Sequence, residues 1–318
     1  MTKPTLSVII PMRDNVPQVW IEALAKVEGN VEFILVYPPE VPLLSNDDPR
    51  IHQITSPIRG EVVQRITALL NASGTYVLSI NCDEYLYPKI ENVVVEYFQT
   101  FPNSYLFKLR QKFYPYGSQE KSLEEWQPFT NLAKIQVRRA EDRHLPTTET
   151  LQKIPICPLE NKFNLLCLIK ERKDHHGPHQ ENFDKKVWRN SLVQEQINDI
   201  VKLFTLFGPF KYVPFWCADR LLGLGMQAKL YTKGLAKKGD IIGHILPFPE
   251  QFRTESNPPE FQYTTTNRRY VLSEVFLVKL YPQYGYLWNL VVGSLRKLVR
   301  LKPRKESLFK LRPFSNQS

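Results

Sequence analysis

The chain has 318 residues, 42% apolar and 23% charged, which is enough to bury a core in one large or two ordinary domains and is unlike a disordered or fibrous composition. Basic side chains outnumber acidic ones by 10, a balance that favours an anionic partner such as a phosphorylated substrate, nucleic acid or anionic lipid. Cys82, Cys157, Cys167 and Cys217 are scattered without a CxxC pair, so neither a disulfide framework nor a structural zinc site is expected, and a reducing compartment fits.

In chain order, Leu6–Ile10 is a short apolar run, as expected of a strand buried on both faces, and Pro11 ends it. The opening MTKPTLSVII lacks the long apolar stretch of a secretory signal. Trp20, Ile21, Leu24 and Ala25 recur at helical spacing, and Val31–Val36 reads as a second strand stopped by Pro38 and Pro39. Val62, Val63, Ile66, Leu69 and Leu70 share one face of a helix over Glu61–Ser73, with Gly74 as its stop. Tyr76–Ile80 is the next strand and Lys89–Gln99 the next helix. This alternation implies an α/β fold with a mostly parallel, twisted sheet flanked by helices. Ligands of such sheets gather beyond the carboxyl ends of the strands, here just after Ile10, Val36 and Ile80.

Further on, Ser104–Arg110 and Ala133–Arg138 read as strands, and residues 140–180 are irregular. Phe183, Val187, Val193, Ile197, Ile200, Val201 and Phe204 trace a helix face, and about Asp219–Lys238 reads as another helix. The pattern suggests a catalytic domain over 1–180 and a basic, helical C-terminal extension over 181–318, with a soft boundary. No run of 18 apolar residues occurs, so no spanning helix is expected.

The sharpest chemical feature is Asn81-Cys82-Asp83-Glu84-Tyr85-Leu86-Tyr87-Pro88, directly after a strand. Carboxylate oxygens there suit Mg²⁺ or Mn²⁺ sharing its shell with substrate phosphates. The histidines at 175, 176 and 179 lack the companion cysteines or HExxH helix of a zinc site, and a surface or substrate-contacting loop is the better reading.

Three ordered segments carry a family resemblance. Ser7-Val8-Ile9-Ile10-Pro11-Met12-Arg13-Asp14-Asn15 resembles the opening strand and turn of family 2 glycosyltransferases. Gln64 to Val77 looks like their ARNxGIxxAxGEYI segment, with Arg65, Ala72 and Gly74 in register, and NCDEYLYP is similar to their DxD segment. The motif style is closest to lipopolysaccharide-core and other cell-envelope enzymes. The resemblance implies a GT-A, Rossmann-like fold and a metal-dependent, inverting sugar transfer from a nucleotide-sugar donor to an envelope, exopolysaccharide or lipid-linked glycan acceptor. It implies that Pro11 and Arg13 edge the nucleotide pocket, that Arg65 faces the nucleotide or its diphosphate, and that Asp83 holds Mn²⁺ or Mg²⁺ with Glu84 near the sugar.

Two positions depart from the family pattern. Asn81 replaces the first acid of DxD, which removes a charge, and the usual VDDGS turn reads Val36-Tyr37-Pro38-Pro39-Glu40, where Glu40 would substitute for the missing acid or Tyr37 would stack on a base. An inactive nucleotide-sugar or glycan-binding module on the same fold is the alternative. For the base that deprotonates the acceptor, the family comparison offers Glu149, or the pair Glu141 and Asp142. Apolar residues over 286–295, followed by eight basic residues over 296–312, suit attachment to an anionic membrane surface, and a core-packed helix with a solvated tail is the other reading. The expected location is cytoplasmic, peripheral on the inner membrane. No nucleic-acid-binding motif occurs, so nucleic acid is not an expected partner.

Overall fold

The computed structural model describes residues 3–114, 126, 128–138, 149–174, 181–207, 215–254 and 270–300. The first half of the chain forms β1 (Leu6–Pro11), α1 (Gln18–Ala25), β2 (Val31–Tyr37), β3 (Ile51–Thr55), α2 (Glu61–Asn71), β4 (Tyr76–Ser79), β5 (Glu84–Tyr85), α3 (Ile90–Thr100) and β6 (Leu106–Tyr114). The remainder forms β7 (Gln152–Pro155), β8 (Lys186–Arg189), α4 (Asn190–Phe207), α5 (Phe215–Thr232), β9 (Ile241–Thr254), α6 (Tyr270–Leu280) and α7 (Gly285–Arg300).

The nine strands of the described residues join one sheet, in the order β3-β2-β1-β4-β8-β6-β9-β5, with β7 pairing β9 off this path. β3, β2, β1 and β4 are parallel to one another, and β6 is parallel to β9. β8 runs antiparallel between β4 and β6, and the short β5 and β7 are antiparallel to β9. Side chains alternate across the central strands because the strand period is two. Leu6, Val8, Ile10, Phe33 and Leu35 pack with α1 and α3 through Trp20, Leu24, Val94 and Tyr97. Ile9, Ile34 and Val36 pack on the opposite layer with Ala68 and Leu69 of α2, Ile197 of α4, Leu221 of α5 and Leu277 of α6. That double burial is what a continuous apolar run in β1 predicts.

Several elements differ from the sequence pattern. β3 is an unforeseen edge strand, Ile-His-Gln-Ile-Thr, whose only fully buried residue is Ile51. Gly74 does not stop α2, because the helix already ends at Ala72 in extended backbone. It is small because a Cβ there would stand 2.7 Å from the Ser7 backbone nitrogen, so it lets β4 approach β1. Residues 133–138 hold a short 3-10 turn, Leu132–Lys134, and an isolated bridge from Val137 to Leu151, not a strand. The pattern that reads as one helix from Phe183 is split: Lys186–Arg189 is a strand, and the helix starts at Asn190. The helix expected over 219–238 spans Phe215–Thr232. Two strands, β8 and β9, thus come from beyond residue 181 and stand inside the sheet, alongside four helices from the same part of the chain. In α7, Tyr286, Leu287 and Leu290 are core residues. No helix among the described residues is long and apolar enough to cross a membrane.

Candidate active site

The carboxyl ends of β1, β2 and β4 meet around the first turns of α2. Gln64 donates from Nε2 to the carbonyls of Met12 (2.7 Å) and Val36 (2.6 Å), tying together the turns that follow β1 and β2. Arg65, the next residue, is 4% exposed and reaches the end of β4. Its Nη2 donates to Glu61 Oε1 at 3.0 Å and to Asn81 Oδ1 at 2.6 Å, its Nη1 donates to Ser79 Oγ, and Asp184 Oδ1 lies 3.6 Å away. A guanidinium suits this task because its planar fork offers five donors and keeps its charge. Burial works against that charge, but Glu61 and Asp184 outweigh it and hold the Arg65 pKa above its usual value. Arg65 therefore organises the site from within instead of lying on a solvated helix face.

Asp83 is 8% exposed at the end of the β4 turn, and Glu84 is fully buried. Glu84 accepts from the Asn81 backbone N–H at 2.8 Å and from Gln111 Nε2 at 3.0 Å. Gln111 in turn accepts from Lys185 Nζ at 2.7 Å, and Lys185 holds a left-handed backbone with φ of 61°. Such a conformation in a lysine marks a turn held by its surroundings. Burial, then the negative charge of Asp184, pushes the Glu84 carboxyl up to about 7, with Lys185 opposing. Asp219 of α5 accepts from the Asp184 N–H at 2.6 Å. Burial and Asp184 raise it to about 6, against the pull of that hydrogen bond and of Lys186. Lys186 is itself buried and lowered to about 8 by desolvation.

Of the residues expected from sequence, Pro11 ends β1, Arg13 follows in the next turn, Asn81 and Asp83 lie in the turn after β4, Glu84 opens β5, and Arg65 is on α2. Arg13 Nε has no hydrogen-bond partner among the described residues. Cys82 between Asn81 and Asp83 is a buried thiol raised to about 11 by burial, with Arg13 opposing. Glu40 stands apart: its side chain is 73% exposed and meets Arg59 Nε at 3.4 Å. Tyr37 is core-packed, donates to Gln53 Oε1 at 2.7 Å and is pushed up to about 12 by burial, so its ring is not free to stack on a base. Glu149 is exposed and is not among the acids that surround Arg65. Glu141, Asp142 and the histidines at 175, 176 and 179 lie outside the described residues.

Sequence reasoning missed Glu61, Asp184 and Asp219. Glu61 was findable, since it sits one turn before Arg65 on the same helix. Asp184 and Asp219 carried no such signal, because only the insertion of β8 beside β4 brings them to the cluster. Among the described residues, no three His, Cys, Asp or Glu side chains are grouped to hold a metal ion by themselves. The donor set is instead one carboxylate, Asp83, beside an amide, Asn81, whose oxygen already accepts from Arg65. That set fits a hard cation that takes most of its ligands from substrate phosphates and water.

No family model matches the chain, and no curated protein matches it. Among solved structures, the 1–349 fragment of S. aureus TarS is similar with a TM-score of 0.50 at 13% identity, covering 96% of this chain and 75% of that one. The same fragment in complex with UDP-GlcNAc gives a TM-score of 0.49 at 13% identity, covering 86% of this chain. The chain spans 64% and 66% of the TarS fragments in complex with UDP and with UDP-GlcNAc. The mannosyltransferase PcManGT from Pyrobaculum calidifontis, in complex with GDP-Man and Mn²⁺, gives 0.43 at 13% identity, covering 94% of this chain and 75% of that one. At such identities the likeness is one of fold, and the fold is the GT-A type expected from the sequence resemblance.

Proposed function

We propose that the chain is a metal-dependent, inverting glycosyltransferase that moves a sugar from a nucleotide-sugar donor to an envelope, exopolysaccharide or lipid-linked glycan. The observation that carries this reading is the buried network at the end of β4, where Arg65 and Glu84 both bond Asn81 and so fix the start of the turn that carries Asp83. The sequence resemblance puts the DxD-like segment on that turn. The similar structures, TarS with UDP-GlcNAc and a mannosyltransferase with GDP-Man and Mn²⁺, are of proteins that bind such donors.

In this reading Arg65 is a positioning residue, since its guanidinium is occupied by Glu61, Ser79 and Asn81. Arg13, half-buried in the turn after β1, is the cation offered to the diphosphate. Bound at Asp83, Mn²⁺ or Mg²⁺ would neutralise charge on the leaving diphosphate as a Lewis acid. Inversion needs a carboxylate on the opposite side of the anomeric carbon to take the proton of the acceptor hydroxyl. Asp219 is the carboxylate we put forward for that role, because the bond it accepts from the Asp184 N–H at 2.6 Å holds it in the acid cluster around Arg65, and burial raises its pKa towards neutrality. Glu149, Glu141 and Asp142 are the competing carboxylates.

One observation favours a second reading, a binding module without turnover: Asn81 stands where the family has an acid, and its oxygen is bonded to Arg65. A panel of nucleotide sugars, assayed for Mn²⁺-dependent release of the nucleoside diphosphate, separates the two. Wild type is expected to turn over at least one donor, and Asp83→Ala to lose that turnover. Donor binding with no turnover in either protein selects the binding module.

A further inference from the structure

We propose that the turn over residues 163–169, with Trp288 and Leu295 of α7, seats this protein on the surface of an anionic lipid bilayer. Phe163, Leu165, Leu166, Leu168 and Ile169 fall within seven residues and are 44–66% exposed. Scattered exposed leucines are ordinary, but five apolar side chains in one short turn form a patch that calls for a covering. Cys167 is the one side chain of the 3-10 turn Leu165–Leu168 that points into the protein.

The turn is held in this outward pose. Asn289 of α7, itself 3% exposed, accepts from the Asn164 N–H at 2.7 Å and donates to the Lys162 carbonyl at 3.1 Å. Gly285 lets the loop close on α7, since a Cβ there would stand 2.4 Å from the backbone of both Asn161 and Phe163. Arg172 closes the segment by bonding Asp174 at 2.8 Å and stacking 4.6 Å from the centre of the Tyr286 ring. Exposure here is therefore built by buried polar contacts, not by a frayed end.

The surroundings select a bilayer as the occupant. Residues 162–173 carry four cations and one acid, and Lys162, Lys170 and Lys173 are exposed beside the apolar turn. Lysines are depleted from protein–protein interfaces, whereas at a membrane their stems lie along apolar surface while the ammonium meets lipid phosphates. Trp288 is 40% exposed and meets Phe163 edge-on with ring centres 6.3 Å apart, an aromatic pair suited to headgroup depth. Of the apolar run read over 286–295, Tyr286, Leu287 and Leu290 are spent on the core, and Trp288 and Leu295 are left exposed to join the turn. The inference stands apart from the proposed sugar transfer and uses none of its residues.

Co-sedimentation of the full chain with phosphatidylglycerol-containing vesicles, and with phosphatidylcholine vesicles alone, tests it. Wild type is expected to pellet with the anionic vesicles, less so in high salt. The variant L165S/L166S/I169S is expected to bind at least tenfold more weakly, with unchanged circular dichroism, unfolding temperature and vesicle-free donor turnover. The variant K170E/K173E is expected to lose the preference for anionic lipid. Wild type left in the supernatant with both vesicles overturns the proposal, as does a triple variant that binds like wild type. A dimer in sedimentation velocity that the triple variant dissociates, without vesicle binding by wild type, also overturns it and assigns the face to a second copy.

Discussion

Arg65 is a buried cation enclosed by Glu61, Asp184, Ser79 and the Asn81 side chain, so its removal leaves acids without their counter-charge. Breaking a buried pair from one side costs about 3–5 kcal/mol, and Arg65→Met is expected to lose that much in urea unfolding. Arg65→Lys is expected to recover little, because a single ammonium cannot reach partners on α2, β4 and the loop before β8 at once. Glu84 sets a pH dependence whose sign follows from its raised pKa. An acid that binds its proton more tightly when folded stabilises the fold at low pH and loses that advantage as pH rises. For Glu84 the loss runs from its unfolded value of 4.5 to about 7 and is on the order of 3 kcal/mol. Thermal unfolding between pH 5 and 8 is therefore expected to show a smaller decline in Glu84→Gln than in wild type. For the acceptor base, Asp219→Asn is expected to lower kcat at least a hundredfold while donor binding by calorimetry stays within a fewfold, and Glu149→Gln to leave kcat nearly intact. The reverse ranking would hand the role to Glu149.

At the scale of elements, α2 ties the turns after β1 and β2 together through Gln64, which serves carbonyls in both, while Arg65 reaches β4. Gln64→Leu keeps the volume but leaves these carbonyls with fewer donors. It is expected to cost about 1–3 kcal/mol in denaturant unfolding and to weaken donor binding by loosening the two turns. Within the first hundred residues, β1, β2 and β4 were legible because they are buried on both faces, and α1, α2 and α3 because they are buried on one, so periodicity speaks clearly. β3 was silent because an edge strand such as Ile-His-Gln-Ile-Thr buries little and owes its place to pairing with β2. β8 was silent for a different reason. Four residues, Lys186–Arg189, are too few to set a period, and Val187 happens to stand at helical spacing from the residues of α4.

For the whole molecule, β8 is the piece that closes the sheet, pairing β4 on one side and β6 on the other with Trp188 fully buried. A fragment of residues 1–180 lacks this strand and is expected to show no cooperative unfolding by circular dichroism, whereas the full chain shows one transition. The amino-acid order alone determined the α/β alternation, the burial of the parallel strands and the segment that follows β4, because these rest on local periodicity and on residues adjacent in the chain. It also carried Arg65, Asp83 and Glu84 as residues of interest. What only the tertiary structure decided is which charges face one another. Asp184 and Asp219 join Arg65 and Glu84 through an antiparallel strand inserted from more than a hundred residues away, and Glu40 turns outward to Arg59. Electrostatic fields fall off with distance in space and not with separation along the chain, so the acid cluster and its shifted pKa values come into being only when the sheet is complete.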